Sequence, residues 1–193
     1  MTKTDPTRRA LAALAAVSTV LLVPACGEAD EGTEAVGEPG GQTLAAMLAA
    51  DSDLSLVSDT FGDAGLAEVF DGTAAYTFMA PTDAAFDALG EAGDDLRSPE
   101  QRAAMVAILR DHIVPGYLTP GDISRAIELS DDKRVEMRTM GARTLVFTAE
   151  GDQVVVTAED GASAQLGDDV HLASNGVAIP LDGVLKRVVP PEA

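Results

Sequence analysis

Cysteine is nearly absent from this chain. Cys26 is the single one in 193 residues, so no disulfide can close within the chain, and no CxxC pair or Cys/His cluster offers a metal site. Tryptophan is missing and aromatics make up 4% of the sequence. The core must therefore be aliphatic. The composition argues against a stacking platform for single-stranded nucleic acid, which needs exposed aromatics in a basic groove. Cations are scarce as well: 13 Lys and Arg stand against 32 Asp and Glu, a formal net charge of -19. A surface of that sign repels phosphate backbones and anionic lipid and favours solubility. Only two histidines exist, His112 and His171, which leaves little material for acid–base chemistry near neutral pH.

What is present is Ala, Val and Leu, within a hydrophobic share of 46%. The length suits one domain, and a folded part of about 150 residues buries roughly 70% of the surface its unfolded chain exposes.

The N-terminal segment reads as an address. "MTKTDPTRR" carries three positive charges, and "ALAALAAVSTVLLV" follows as an apolar run over 10–23. That run is short for a bilayer-spanning helix and fits the apolar stretch of a secretory signal. Next come Val23, Pro24, Ala25 and Cys26, then an acidic Gly-rich tract to Gly41. The segment resembles a bacterial lipoprotein signal with its lipobox, Pro24 departing from the usual residue there. The resemblance implies a signal peptide over 1–25 and acyl lipid attached at Cys26. It also implies residence at the extracytoplasmic face of a bacterial cell membrane, with no other cofactor expected. Arg8-Arg9 gives only a weak hint of twin-arginine export. Loss of residues 1–25 removes three cations and one anion, leaving 10 against 31. Residues 26–41 are too polar and Gly-rich to fold and are expected to form a flexible tether of about 20 Å. The domain is expected over 42–190, with a tail at 191–193.

Within that domain, "TLAAMLAA" puts Leu44, Met47 and Leu48 on one helical face. Two further short helices fit 54–70, broken by Gly62 and Gly65. Tyr76 to Ala80 reads as a buried strand halted by Pro81. Thr82 then caps a helix, with Asp83 in its first turn. "SPEQ" at 98–101 predicts a capping box opening a helix that runs to about His112, and Thr119-Pro120 opens another. From 134 onward "RVEMRTM", "RTLVFTAE", "QVVVTAE", "DVHLAS" and "GVAIPLDGV" predict an antiparallel meander. Helices first and strands after, with one strand from the first half joining the sheets, define an α+β class.

Three blocks in this order, "TFMAPTDAAFDAL", "LRDHIVPGYLT" and "ASNGVAIPLDGVL", resemble the fasciclin-like domain of adhesion, matrix and bacterial envelope proteins. The similarity covers about 42–190. It implies helices of the N-terminal half packed on antiparallel sheets, a β-sandwich or wedge, from the C-terminal half. It also implies a non-catalytic module. Two positions depart from the family pattern. Asp111 stands where a tyrosine commonly precedes His112, and Ile179 with Pro180 stands where the last block commonly carries histidine. An integrin role tied to the Tyr-His region therefore does not carry over.

The candidate binding residues are His112, Pro115 and Asp83. A core role for His112 and a corner-shaping role for Asp83 are the stronger readings of each. A triad of Ser174, His171 and Asp169 lacks any nucleophile elbow. The pairs Asp94-Asp95, Asp131-Asp132 and Asp168-Asp169 lack EF-hand spacing and read as solvated loops. Gly90 to Gly93 lacks the lysine of a phosphate-binding loop. The favoured function is adhesion or binding of an envelope or host surface protein or glycan, by a monomer that does not engage nucleic acid. A carrier or scavenger of small apolar ligands comes second, and an envelope hydrolase last.

Overall fold

The computed structural model describes residues 40–188. Short, well-capped helices come first. Helix α1 (Leu44–Ala50) starts at Thr43, whose hydroxyl accepts from the Ala46 N–H, and it buries Leu44 and Leu48. A 3-10 turn over Ser52–Leu54 leads into α2 (Ser55–Asp63), which buries Val57 and Phe61. Gly65 takes φ +67, a left-handed conformation natural to glycine, and turns the chain into α3 (Ala67–Phe70). Strand β1 (Tyr76–Pro81) then enters the core, followed by α4 (Asp83–Asp87), α5 (Glu91–Leu96) and α6 (Arg102–Arg110).

The rest is mostly strand: β2 (Ile113–Pro115), α7 (Pro120–Leu129), β3 (Arg134–Arg138), β4 (Thr144–Glu150), β5 (Gln153–Ala158), β6 (Ser163–Gln165), β7 (His171–Ala173) and β8 (Gly176–Leu181). Two four-stranded sheets result, ordered β2-β1-β8-β7 and β3-β4-β5-β6. The second is an antiparallel meander. The first contains a parallel pair, β1 with β8, in register from Tyr76 opposite Gly176 to Pro81 opposite Leu181. The sheets meet at two corners. Met140 N–H bonds Ile113 O at 2.7 Å, and Leu166 bridges Leu181.

Alternation along β1 and β8 divides the interior. Phe78, Ala80 and Ala178 face a core shared with α1–α6, containing Leu48, Phe61, Phe70, Phe86 and Leu109. Met79, Val177, Ile179 and Leu181 face a second core with Phe147 and Val156 of the other sheet and Ile123 and Ile127 of α7. A sheet covered on both faces reads as a continuous apolar run, which is why "TFMA" and "VAI" show no alternation.

The architecture is α+β, and several local expectations change within it. The pairing is not wholly antiparallel, because β8 returns beside β1 in the same direction. Both β1 and β2 of the first half join the sheet. Ser98 makes no side-chain cap: its hydroxyl donates to Asp95 O at 2.6 Å, and Pro99–Gln101 forms a 3-10 turn ahead of α6. That helix ends at Arg110, because the next residues pair with β1. Asp94-Asp95 lies within α5 rather than a loop. Strand β6 sits in a stretch whose Gly and Asp residues read as punctuation. Gly40, which composition places in the tether, donates to Leu172 O at 2.8 Å, and Ser174 N–H donates to Gln42 O at 2.8 Å. The free edge of β7 thereby finds partners. The remaining expectations for 1–39 lie outside the described residues.

Candidate functional site

The "APTD" corner shows first how a side chain is committed. Pro81 ends the β1 ladder, and Thr82 Oγ1 accepts from Ala85 N–H at 3.2 Å, capping α4. Asp83 serves a different helix. Its Oδ2 accepts from Ser55 Oγ at 2.6 Å and its Oδ1 from Leu56 N–H at 3.1 Å, so the carboxylate sits at the N-terminus of α2. The corner therefore locks α4 and α2 together.

The second locus is the tetrapeptide from Arg110 to Ile113, where α6 becomes β2. Its atoms tie together four segments. Arg110 O accepts from Gly141 N–H at 3.0 Å, and Ile113 O accepts from Met140 N–H. His112 O accepts from Met79 N–H of β1 at 2.9 Å. The His112 ring is fully buried. Its Nδ1 lies 2.8 Å from Ile108 O, and its Nε2 accepts from Leu185 N–H at 2.9 Å. This pairing requires the neutral tautomer with the proton on Nδ1. Burial pushes the imidazole down to about 4, against a partial upward pull from the Ile108 carbonyl. Both ring nitrogens are thus occupied inside the protein.

Charged groups gather on the residues that flank His112 and Leu185 in the chain. Asp111 Oδ2 forms an ion pair with Arg143, 2.9 Å from its Nε. Burial raises the Asp111 carboxyl above its ordinary 3.8, outweighing the nearby Arg143 and Lys186. A Cβ on Gly141 would collide with Asp111 Oδ1, so glycine there makes room for the carboxylate. Lys186 Nζ lies 3.0 Å from Asp160 Oδ2. Burial alone would raise the Asp160 carboxyl, but bonds from Lys186, Ala162 N–H and Arg187 N–H lower it on balance.

Beside this junction lies a cleft of about 480 Å³ between α6 and the β3–β4 hairpin. Ala103, Val106, Ala107 and Met140 supply apolar surface, and Arg110, Arg143 and the Asp111 carboxylate supply charge. Among the described residues, Arg110 forms no ion pair. A smaller cleft of about 230 Å³ runs between α2 and the α5–α6 connection, floored by Leu96 and Met105.

The three candidate binding residues have different partners and do not converge. His112 is inside the core, and Asp83 holds α2. Pro115 is exposed at the end of β2 opposite Tyr76, where a missing N–H suits an edge strand. Cys26 lies outside the described residues. Ser174, His171 and Asp169 do not assemble: His171 Nε2 approaches Asp51 Oδ2 at 2.7 Å, without the alignment of a hydrogen bond. Among the described residues, no group of three or more His, Cys, Asp and Glu side chains is arranged to hold a metal ion. Sequence reasoning missed Arg110, Met140 and Arg143. The available signal was the return of cations after Gln101, where Arg110 stands in "LRDHI" and Arg143 in "MGARTL".

The order of elements, the parallel β1–β8 pair and the junction at His112 define a fasciclin-type module. The Fasciclin domain profile matches residues 52–187, and the chain belongs to that family. It is 28% identical over 145 residues to "Protein sll1483" of Synechocystis, covering 74% of this chain and 72% of that protein. Its fold is similar to a FAS1 domain pair from the insect cell adhesion molecule Fasciclin I, with a TM-score of 0.66 and 17% identity. That match covers 77% of this chain and 53% of the pair, so this chain spans about half of it.

Proposed function

We propose that the chain is a cell-envelope lipoprotein, acylated at Cys26, whose fasciclin domain binds an envelope or host surface protein or glycan without chemistry. The observation that carries this reading is the contrast between the two histidines and the cleft beside α6. His112 is bonded at both nitrogens, and His171 Nε2 lies 2.7 Å from Asp51 Oδ2 rather than in a triad with Ser174 and Asp169. The cleft beside α6 instead offers apolar surface rimmed by Arg110 and Arg143, as a recognition surface does.

The anchor is tested by metabolic labelling with palmitate, which Cys26→Ser abolishes; labelling that survives the substitution removes it. The binding role is tested by displaying the domain against envelope and host surface components. Arg110→Glu reverses a charge at the rim of the cleft and Ala107→Arg fills its apolar surface, so each should weaken capture by at least about tenfold. Capture indifferent to both substitutions moves the binding face elsewhere. Turnover of a substrate that depends on His171 would overturn the non-catalytic reading.

A further inference from the structure

We propose that Asn175 is a deamidation site gated by the fold, so that each opening of the β7–β8 hairpin exposes the domain to irreversible damage. Asn175 is the single asparagine of the chain, and Gly176 follows it. Asn-Gly is the dipeptide most open to this reaction, because glycine has no side chain to shield its nitrogen.

The structure compels both residues. Asn175 Oδ1 accepts from Leu44 N–H at 2.8 Å, satisfying an orphan donor at the start of α1. Its Nδ2 donates to Phe70 O and to Gly72 O, the latter at 2.7 Å. Three backbone groups from two segments thus meet one side chain, across sequence separations of 131, 105 and 103 residues. Only a short primary amide supplies one acceptor and two donors at that reach. Aspartate has no donor, and serine has one. Gly176 is buried in both ladders, opposite Tyr76 and opposite Ala173. A Cβ there would collide with Tyr76 O and press on Leu44. Packing therefore imposes a reactive pair at a point where three segments are held.

In the reaction, Gly176 N bonds to Asn175 Cγ and the Cγ–Nδ2 bond breaks. The departing nitrogen leaves as ammonia with the Gly176 amide proton. Water then opens the cyclic imide. Breaking Cγ–N yields aspartate, and breaking the original peptide bond yields isoaspartate with the main chain rerouted through Cγ. While the domain is closed, the amide is held by three partners and Gly176 is fixed in the sheet, which opposes the rotation that the attack needs. After reaction, a carboxylate faces the carbonyls of Phe70 and Gly72, and the hairpin cannot close as before.

Intact-mass spectrometry is a clean readout, because no other asparagine contributes to the mass gain on exchange of NH2 for OH. The full chain is incubated at mildly alkaline pH in native buffer and in denaturing urea, and peptide mapping locates the product. Deamidation at Asn175 should run at least about tenfold faster in urea, because the folded chain reacts only through its open fraction. Asn175→Asp should melt below the parent protein. Equal rates in the two buffers, or no reaction at Asn175 in either, overturns the proposal. So does an Asn175→Asp variant that melts with the parent.

Discussion

At the scale of single residues, the histidine of the second block works as a fastener. His112 joins the end of α6 to the segment after β8 only while it is neutral. Its titration fixes the sign of a pH effect. The group ionises near 6.5 when exposed and at about 4 when folded, so between those values the unfolded chain binds more protons. The stabilisation is complete above pH 6.5, declines as pH falls toward 4 and is lost below it, a total of about 3 kcal/mol. Asp122 and Asp160, held below 3.8, withdraw their contributions only at lower pH, and Asp111, held above 3.8, acts with the opposite sign. Urea titrations at pH 7, 5.5 and 4 should show a decline that His112→Gln flattens; an unchanged slope in the variant rejects the role. Asp83 permits a second test. Asp83→Ala leaves Leu56 N–H without its acceptor and should cost about 1–2 kcal/mol, with the loss of helical order beginning in α2. An effect confined to α4 in hydrogen exchange would contradict that assignment.

Among the elements, two helix starts that look alike in sequence differ in the fold. Thr119 and Asp122 form a reciprocal capping box at α7, with Asp122 Oδ2 accepting from Thr119 N–H at 2.9 Å and Thr119 Oγ1 accepting from Asp122 N–H at 3.2 Å. Those bonds from Thr119 lower the Asp122 carboxyl. Ser98 leads a similar string but spends its hydroxyl on Asp95 O. Thr119→Ala should therefore cost about 1 kcal/mol, whereas Ser98→Ala should change stability by less than about 0.5 kcal/mol. Chemical denaturation of the two variants decides it, and equal losses would count against the distinction. Helix α7 matters because Ile123 and Ile127 close the core between the sheets.

Over the whole molecule, charge is unevenly placed. Residues 40–101, which build α1–α5 and β1, carry twelve carboxylates and one cation, Arg97. Residues 102–188 carry thirteen carboxylates and nine cations. The helical side thus repels itself, and of the nine cations that follow it, Arg102 reaches back to pair with Asp63 of α2. Screening relaxes such repulsion beyond about 10 Å at 0.1 M salt. Raising NaCl from 20 to 500 mM should therefore raise the melting temperature by a few degrees, since repulsion outweighs the few exposed ion pairs. A melting temperature that falls with salt would show the pairs to dominate.

Much of this architecture could be read from the order of residues alone. The start of α1 near Thr43, the β1 stop at Pro81, the α4 cap at Thr82, the α7 cap at Thr119 and strands β3 to β5 all rest on neighbours within a few positions. So does the α+β order, because periodicity and caps are local physics. Tertiary structure decided the rest. Asp83 crosses 27 residues to cap α2, His112 crosses 73 to hold Leu185, and Asn175 crosses 131 to reach Leu44. The parallel placement of β8 beside β1 and the cleft rimmed by Arg110 and Arg143 arise the same way. A polar side chain's partner is whichever unsatisfied group packing brings within about 3 Å, and no short window of sequence contains that group.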